Sequence, residues 1–197
     1  MIYWRTMKIT LSALLLAGCA LAQTPPALTI AAINERPIRT IESEMVPLIE
    51  AMPADKMNFA PTQGEFKGVR TFGQQAKHVA AVLYMVGAAA KGESIPVDVG
   101  PNEDGPASVT TKEQIVKYVK DAFAYVRGAA QTLTAENETQ MMKSPFGQGQ
   151  MPKSAIVQIA GWHSFDHYGQ MVVYARMNGI VPPASQPAPP PPPAKKK

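Results

Sequence analysis

The stretch GWHSFDHYGQ, residues 161–170, holds two of the chain's three histidines, His163 and His167, four residues apart. On a helix that spacing stacks both imidazoles on one face, one turn above the other. Two neutral imidazoles at i and i+4 can hold one divalent ion from adjacent turns, and zinc, nickel and iron all accept such ligands. HExxH helices use this spacing, although Ser164 stands here where their glutamate would be. The alternative is a pair of polar side chains satisfied by hydrogen bonds alone.

Which face the pair occupies bears on the choice. At about 100° per residue, Ile156, Ile159 and Ala160 lie on the same side one to two turns earlier, and Gln170 and Tyr174 continue it. The pair therefore faces a helical interior, where uncompensated imidazoles are costly. A third ligand must come from elsewhere, and His78, in QQAKHVAAVL, is the one histidine left. Three histidines would leave a coordination position for water or substrate, as catalytic sites do. Gln170 is placed to support the ligands from outside. Asp166 falls off the shared face as a supporting or surface group, Tyr168 points away, and Trp162 and Phe165 read as packing residues. No acid or base accompanies the histidines, so no further catalytic residue is named.

The elements that carry these residues are helical. Ile38, Ile41, Met45, Leu48 and Met52 form a stripe at spacings of three and four, with Pro47 expected to kink the helix and Pro53 to close it. Phe72, Ala76, Val79, Leu83 and Val86 mark a second helix between Val69 and Ala90, apolar nearly all round in its second half. Thr110 and Glu113 have capping-box spacing ahead of a third stripe, Ile115 to Leu133. A fourth helix is expected from Lys153 to Asn178, after the Gly-rich loop SPFGQGQMP. The fold class is all-α, a four-helix bundle.

About twenty residues separate helices two and three, more than adjacent antiparallel helices need. At roughly 3.3 Å per residue they can run the length of a helix of about 30 Å. The expected order is up-down-down-up with one long crossover; a decorated loop in an up-and-down bundle is the alternative. The loops Pro53–Gly68 and Glu136–Pro152 are the expected rim of the pocket.

Outside the bundle, at 34–181, three segments are set apart. Residues 1–22 read as a signal peptide, with a basic start and an apolar run from Ile9 to Ala17 too short to span a bilayer. Met7-Lys8 would give it a more usual start. Ala20–Ala22 fits ordinary cleavage before Gln23, whereas Leu16–Cys19 resembles a lipoprotein signal that would lipidate Cys19 and attach the chain to a membrane. Either route makes the body an exported one: periplasmic, extracellular or lipid-anchored in the cell envelope. Cys19 is the one cysteine, so the body has no disulfide. Residues 23–33 read as a linker, and 182–197, with eight of the nineteen prolines and three terminal lysines, as a disordered tail.

Charge excludes one class of partner. Arg5, Lys8 and Lys195 to Lys197 lie in these end segments; without them 14 basic residues face 15 acidic ones. That balance holds no basic face for nucleic acid.

The segments WHSFDHYGQMVVYARMNGIVPPAS and RTFGQQAKHVAAVLYMVGAA resemble the DinB-like (YfiT-like) metal-binding four-helix bundles. NERPIRTIESEMVPLIEAMPADKMNFAPT is similar to that family's first helix and following loop. The most specific feature is a histidine on helix two followed by HxxxH with YGQ on helix four. The resemblance covers Asn34 to Ser185 and implies a metal triad of His78, His163 and His167, the up-down-down-up order and a tendency to homodimerise. It also implies a thiol-dependent transferase or isomerase whose metal activates a low-molecular-weight thiol such as bacillithiol, mycothiol or glutathione. The signal segment departs from that picture, because such thiols are chiefly intracellular. Three functions follow: a metal-dependent enzyme, transferase or hydrolase, acting on a small molecule through an activated thiol or water; a non-catalytic envelope module binding a metal or small ligand; or a structural bundle with a vestigial triad.

Overall fold

The computed structural model describes residues 28–187. The segment expected to be a signal peptide, with Cys19, and the residues from 188 on lie outside the described residues. Four helices, α1 (Ile30–Ala51), α2 (Phe72–Lys91), α3 (Lys112–Ala130) and α4 (Lys153–Met177), make an all-α bundle. No described helix is long and apolar enough to cross a membrane.

Helix α1 begins four residues before the boundary expected at 34, inside the stretch read as linker. Thr29 caps it, its hydroxyl accepting from the Ala32 amide at 3.1 Å. The helix runs on through both Pro37 and Pro47. Each proline costs about 3 kcal/mol in a helix interior, while Ile38, Ile41, Met45 and Leu48 are fully buried, at about 1.5–3 kcal/mol apiece. Burial outweighs the two missing amides, which is why Pro47 does not end the helix.

Capping boxes start α2 and α3. Thr71 and Gln74 exchange bonds at 3.3 and 2.8 Å, which sets the start of α2 at Phe72, not Val69. On α3 the box is Thr111 with Gln114, at 3.3 and 3.0 Å, one residue beyond the expected Thr110 and Glu113. Gln114 wins because its amide oxygen accepts from the Thr110 and Thr111 amides together.

Cross-helix pairs give the order of the bundle. Gln75 meets Gln170, so α2 and α4 are antiparallel. Gly73 approaches Ile115 and Gly87 approaches Tyr125, so α2 and α3 are parallel. Glu50 pairs with Lys120 and Glu42 with Arg127, which makes α1 antiparallel to α3. Asn34 pairs with Gln158, and Gly161 abuts Pro37, so α1 and α4 are parallel. The result is up-down-down-up, and the α2–α3 connection must cross the length of the bundle. The parallel α2–α3 contact is close: a Cβ on Gly87 would stand 2.7 Å from the Tyr125 ring. The core fills with Ile41, Phe72, Leu83, Phe123, Ile156 and Met171 from all four helices' inner faces.

Two segments expected to be irregular are ordered. The Gly-rich loop before α4 is a small antiparallel hairpin, β1 (Met141–Lys143) with β2 (Gln150–Pro152), Met142 opposite Met151. The tail expected to be disordered from Pro182 opens with a 3₁₀ turn, Pro183–Ser185, that contacts α1. Arg176 holds this turn through the Ser185 hydroxyl at 3.1 Å.

Candidate metal centre

His78 lies in the second turn of α2, and His163 and His167 lie on successive turns of α4. Because those helices are antiparallel, the second turn of α2 meets the middle of α4. The three rings converge edge to face, with centroids 4.5 Å apart for His163 and His167, 4.8 Å for His78 and His167, and 5.2 Å for His78 and His163. One ligand nitrogen from each lies within 4.8 Å of the other two. Two bonds of ~2 Å span at most about 4 Å, so an ion would draw the rings inward by less than an ångström each. His78 and His167 are buried, and His163 is half-buried.

The outer nitrogens of two rings are held. His78 Nδ1 lies 3.0 Å from the Glu103 carbonyl oxygen, in the crossover between α2 and α3. His167 Nδ1 contacts the Gln75 side-chain oxygen. A carbonyl oxygen only accepts, so both rings donate from Nδ1 and keep a lone pair on Nε2, the arrangement in which histidines bind metals. His163 Nε2 is buried with no hydrogen-bond partner. An orphaned ring nitrogen beside two freed Nε2 lone pairs is a donor set that fits a divalent ion. Ser164, in the position of the HExxH glutamate, is fully buried with its hydroxyl also unpartnered.

The surroundings keep the rings neutral. Burial, then the neighbouring His78, holds His163 down to about 4. Burial, then His163 and His78, holds His167 down to about 3. His78 is lowered by burial and then by the Arg70 guanidinium. Neutral imidazole is the form that ligates metal, so no proton need be displaced near neutral pH.

The loop that reaches His78 is strained. Asn102 and Glu103 both have φ of +55°, a region that residues other than glycine seldom enter. Gly100 makes the turn possible: a Cβ there would lie 2.2 Å from the Gly105 carbonyl oxygen. The loop is tied to the start of α2 by Arg70, whose Nε donates to Asp104 at 2.8 Å and whose guanidinium also reaches the Asn102 carbonyl at 3.0 Å.

An open cleft of about 520 Å³ reaches His167, lined also by Arg70, Gln75, Asn102, Asp104 and Gln170 among others. Its rim thus comes from the crossover loop and from Gly68–Arg70. The segment Glu136–Pro152, expected at this rim, lies at the other end of α2, where Met142 and Lys143 line a separate cleft with Met85 and Ile95. The hairpin keeps that segment against the C-terminal end of α2.

All three predicted histidines are brought together. Gln170 sits one amide further out than expected, bonded at 2.9 Å to Gln75 and not to a ring. Trp162 and Phe165, expected to pack, are exposed at 60% and 38%. Sequence reasoning missed Gln75, Arg70 and the Glu103 carbonyl. Gln75 stands three residues before His78 on an otherwise apolar face, a signal that could have found it; a main-chain carbonyl in a loop leaves none.

Residues 38–171 match the family model of the DinB superfamily. Among solved structures, the chain is similar to a DinB-like protein from Bacillus cereus, with a TM-score of 0.61 and 19% identity over 79% of this chain and 96% of that one. It is also similar to a DinB-like protein from Bacillus subtilis, with a TM-score of 0.55 and 15% identity over 79% and 99%. No curated protein matches the sequence.

Proposed function

We propose that this chain, which belongs to the DinB superfamily, binds one divalent metal ion through His78, His163 and His167 and serves as a metal-dependent enzyme. In this reading a thiol or a water attacks a small molecule held in the adjoining cleft. The observation that carries the proposal is the buried, unpartnered His163 Nε2 among three converging rings. When bound, such an ion lowers the pKa of a coordinated water or thiol and so supplies a nucleophile near neutral pH.

The chain's own residues supply the rest. The Glu103 carbonyl and Gln75 hold two rings by their outer nitrogens, and burial keeps all three uncharged. Three protein ligands leave a position that the cleft beside His167 can serve. Zinc, nickel and iron all suit imidazole. The proposal includes export, by the leader or by a lipid on Cys19, so that the thiol would be one present in the cell envelope.

Metal analysis of the purified mature chain tests the site: one ion per chain, and none with His163→Ala. A thiol-conjugation assay on model electrophiles then tests catalysis. Turnover that needs both the ion and His163 supports the enzyme; stoichiometric metal without turnover leaves a binding module. A chain that takes up no zinc, nickel or iron removes the proposal. Mass measurement of the mature N-terminus, at a lipidated Cys19 or at Gln23, tests export.

A further inference from the structure

Beyond the ligands, a chain of three hydrogen bonds runs away from His167 and ends on its sequence neighbour. His167 Nδ1 contacts Gln75 Oε1. Gln75 Nε2 donates to Gln170 Oε1 at 2.9 Å, and Gln170 Nε2 donates to Asp166 Oδ2 at 3.4 Å. The route leaves α4, crosses to α2 and returns to α4. Gln75 is 3% exposed, so its amide has little water to bond with instead.

A primary amide is nearly symmetric in shape, and only its partners decide which end faces which. Run in the opposite sense, this chain would have Gln75 donating to His167 and Gln170 donating to Gln75. The Gln170 oxygen would then face Asp166, two acceptors in contact. An ionised carboxylate accepts and cannot donate, so that sense is unfavourable. Asp166 therefore orders Gln170, Gln170 orders Gln75, and Gln75 obliges His167 to carry its proton on Nδ1.

We infer that Gln75 is a positioning residue that fixes the Nδ1–H tautomer of His167, through a polarised amide relay whose direction is set by Asp166. The inference rests on the metal reading only for its purpose, since the tautomer leaves the Nε2 lone pair for an ion. The tautomer itself exists without one. The outermost bond is the longest and is exposed, so losing Asp166 has a smaller effect than losing Gln75.

The test uses full-length, ¹⁵N-histidine-labelled protein, metal-free at neutral pH, with the His167 tautomer read from two-bond ¹H–¹⁵N couplings. The expected result is Nδ1–H in the wild type, a mixture or Nε2–H in Gln75→Leu, and Nδ1–H again in Gln75→Glu, which keeps an acceptor facing the ring. Asp166→Asn, at an exposed site that folding does not need, lets the relay run either way and yields a measurable Nε2–H fraction. In zinc competition against a chromophoric chelator, Gln75→Leu weakens binding by about 10–100-fold and Asp166→Asn by less. A wild-type Nε2–H tautomer, or a tautomer unchanged in Gln75→Leu or, should that variant not fold, in Asp166→Asn, overturns the relay. A chain that shows the expected tautomers yet binds no metal overturns the metal reading and upholds the relay, so the two failures are distinct.

Discussion

His78 and His163 meet edge-on across the seam between α2 and α4, their ring centroids 5.2 Å apart. Neither ring can take a proton without placing charge against the other in a partly dry site. The electrostatic behaviour of the site follows from this proximity and from burial.

The metal-free protein should lose stability as it is acidified from about 6.5 towards 3. Unfolded imidazoles take up protons near 6.5, whereas His163 and His167 wait until about 4 and about 3 in the fold. Between those values the unfolded chain binds more protons, so stability rises with pH across this window and is level, as far as these groups go, above it. Denaturant midpoints measured from pH 8 to 3.5 check this, and His163→Gln should flatten part of the slope. Equal slopes for the two proteins would count against it.

Removing metal should lower the melting temperature of the loaded protein. An ion free at about 100 times its Kd stabilises the native state by about 2.7 kcal/mol. A strong chelator should therefore shift the wild-type transition downward and leave that of His163→Ala where it was. Scanning calorimetry with and without chelator measures the difference.

Gly100→Ala should weaken metal binding while leaving the bundle folded. Its new Cβ would strike the Gly105 carbonyl at 2.2 Å, opening the turn that carries the Glu103 oxygen to His78. Loss of such an outer partner costs on the order of tenfold in affinity. The expected pattern is an unchanged helical circular dichroism spectrum with a raised dissociation constant for zinc.

Two aromatic truncations should behave oppositely. Phe123 is fully buried in the core, and Phe123→Ala should cost about 3–5 kcal/mol. Trp162 is 60% exposed, and Trp162→Ala should change stability by no more than about 0.5 kcal/mol. Chemical denaturation of the two variants provides the comparison.

The helical stripes, the long crossover and the histidine face were all legible in the chain. Spacings of three and four are local properties, and a helix turns them into a face whatever it later packs against. The stripe from Ile38 to Met52 identified α1 even though two prolines stand inside it. Its N-terminal limit was not legible, because a Thr29 cap is one hydroxyl on one amide and looks like any other threonine. The cap of α3 slipped by one residue for a similar reason: Thr110 and Thr111 are adjacent, and only the reach of Gln114 separates them.

Of the site, the sequence by itself determined the candidate ligand types, the shared turn-to-turn face of His163 and His167, and His78 as the third histidine. What it could not determine were the contacts made across chain-distant elements. Gln75 bonding His167, the Glu103 carbonyl reaching His78 from a strained loop, and the hairpin that keeps residues 136–152 away from the cleft were decided by the tertiary structure alone. The physical reason is range: periodicity encodes which way a side chain faces on its own helix, whereas a hydrogen bond between helices depends on their register and distance of approach. That register emerges from the packing of the whole core.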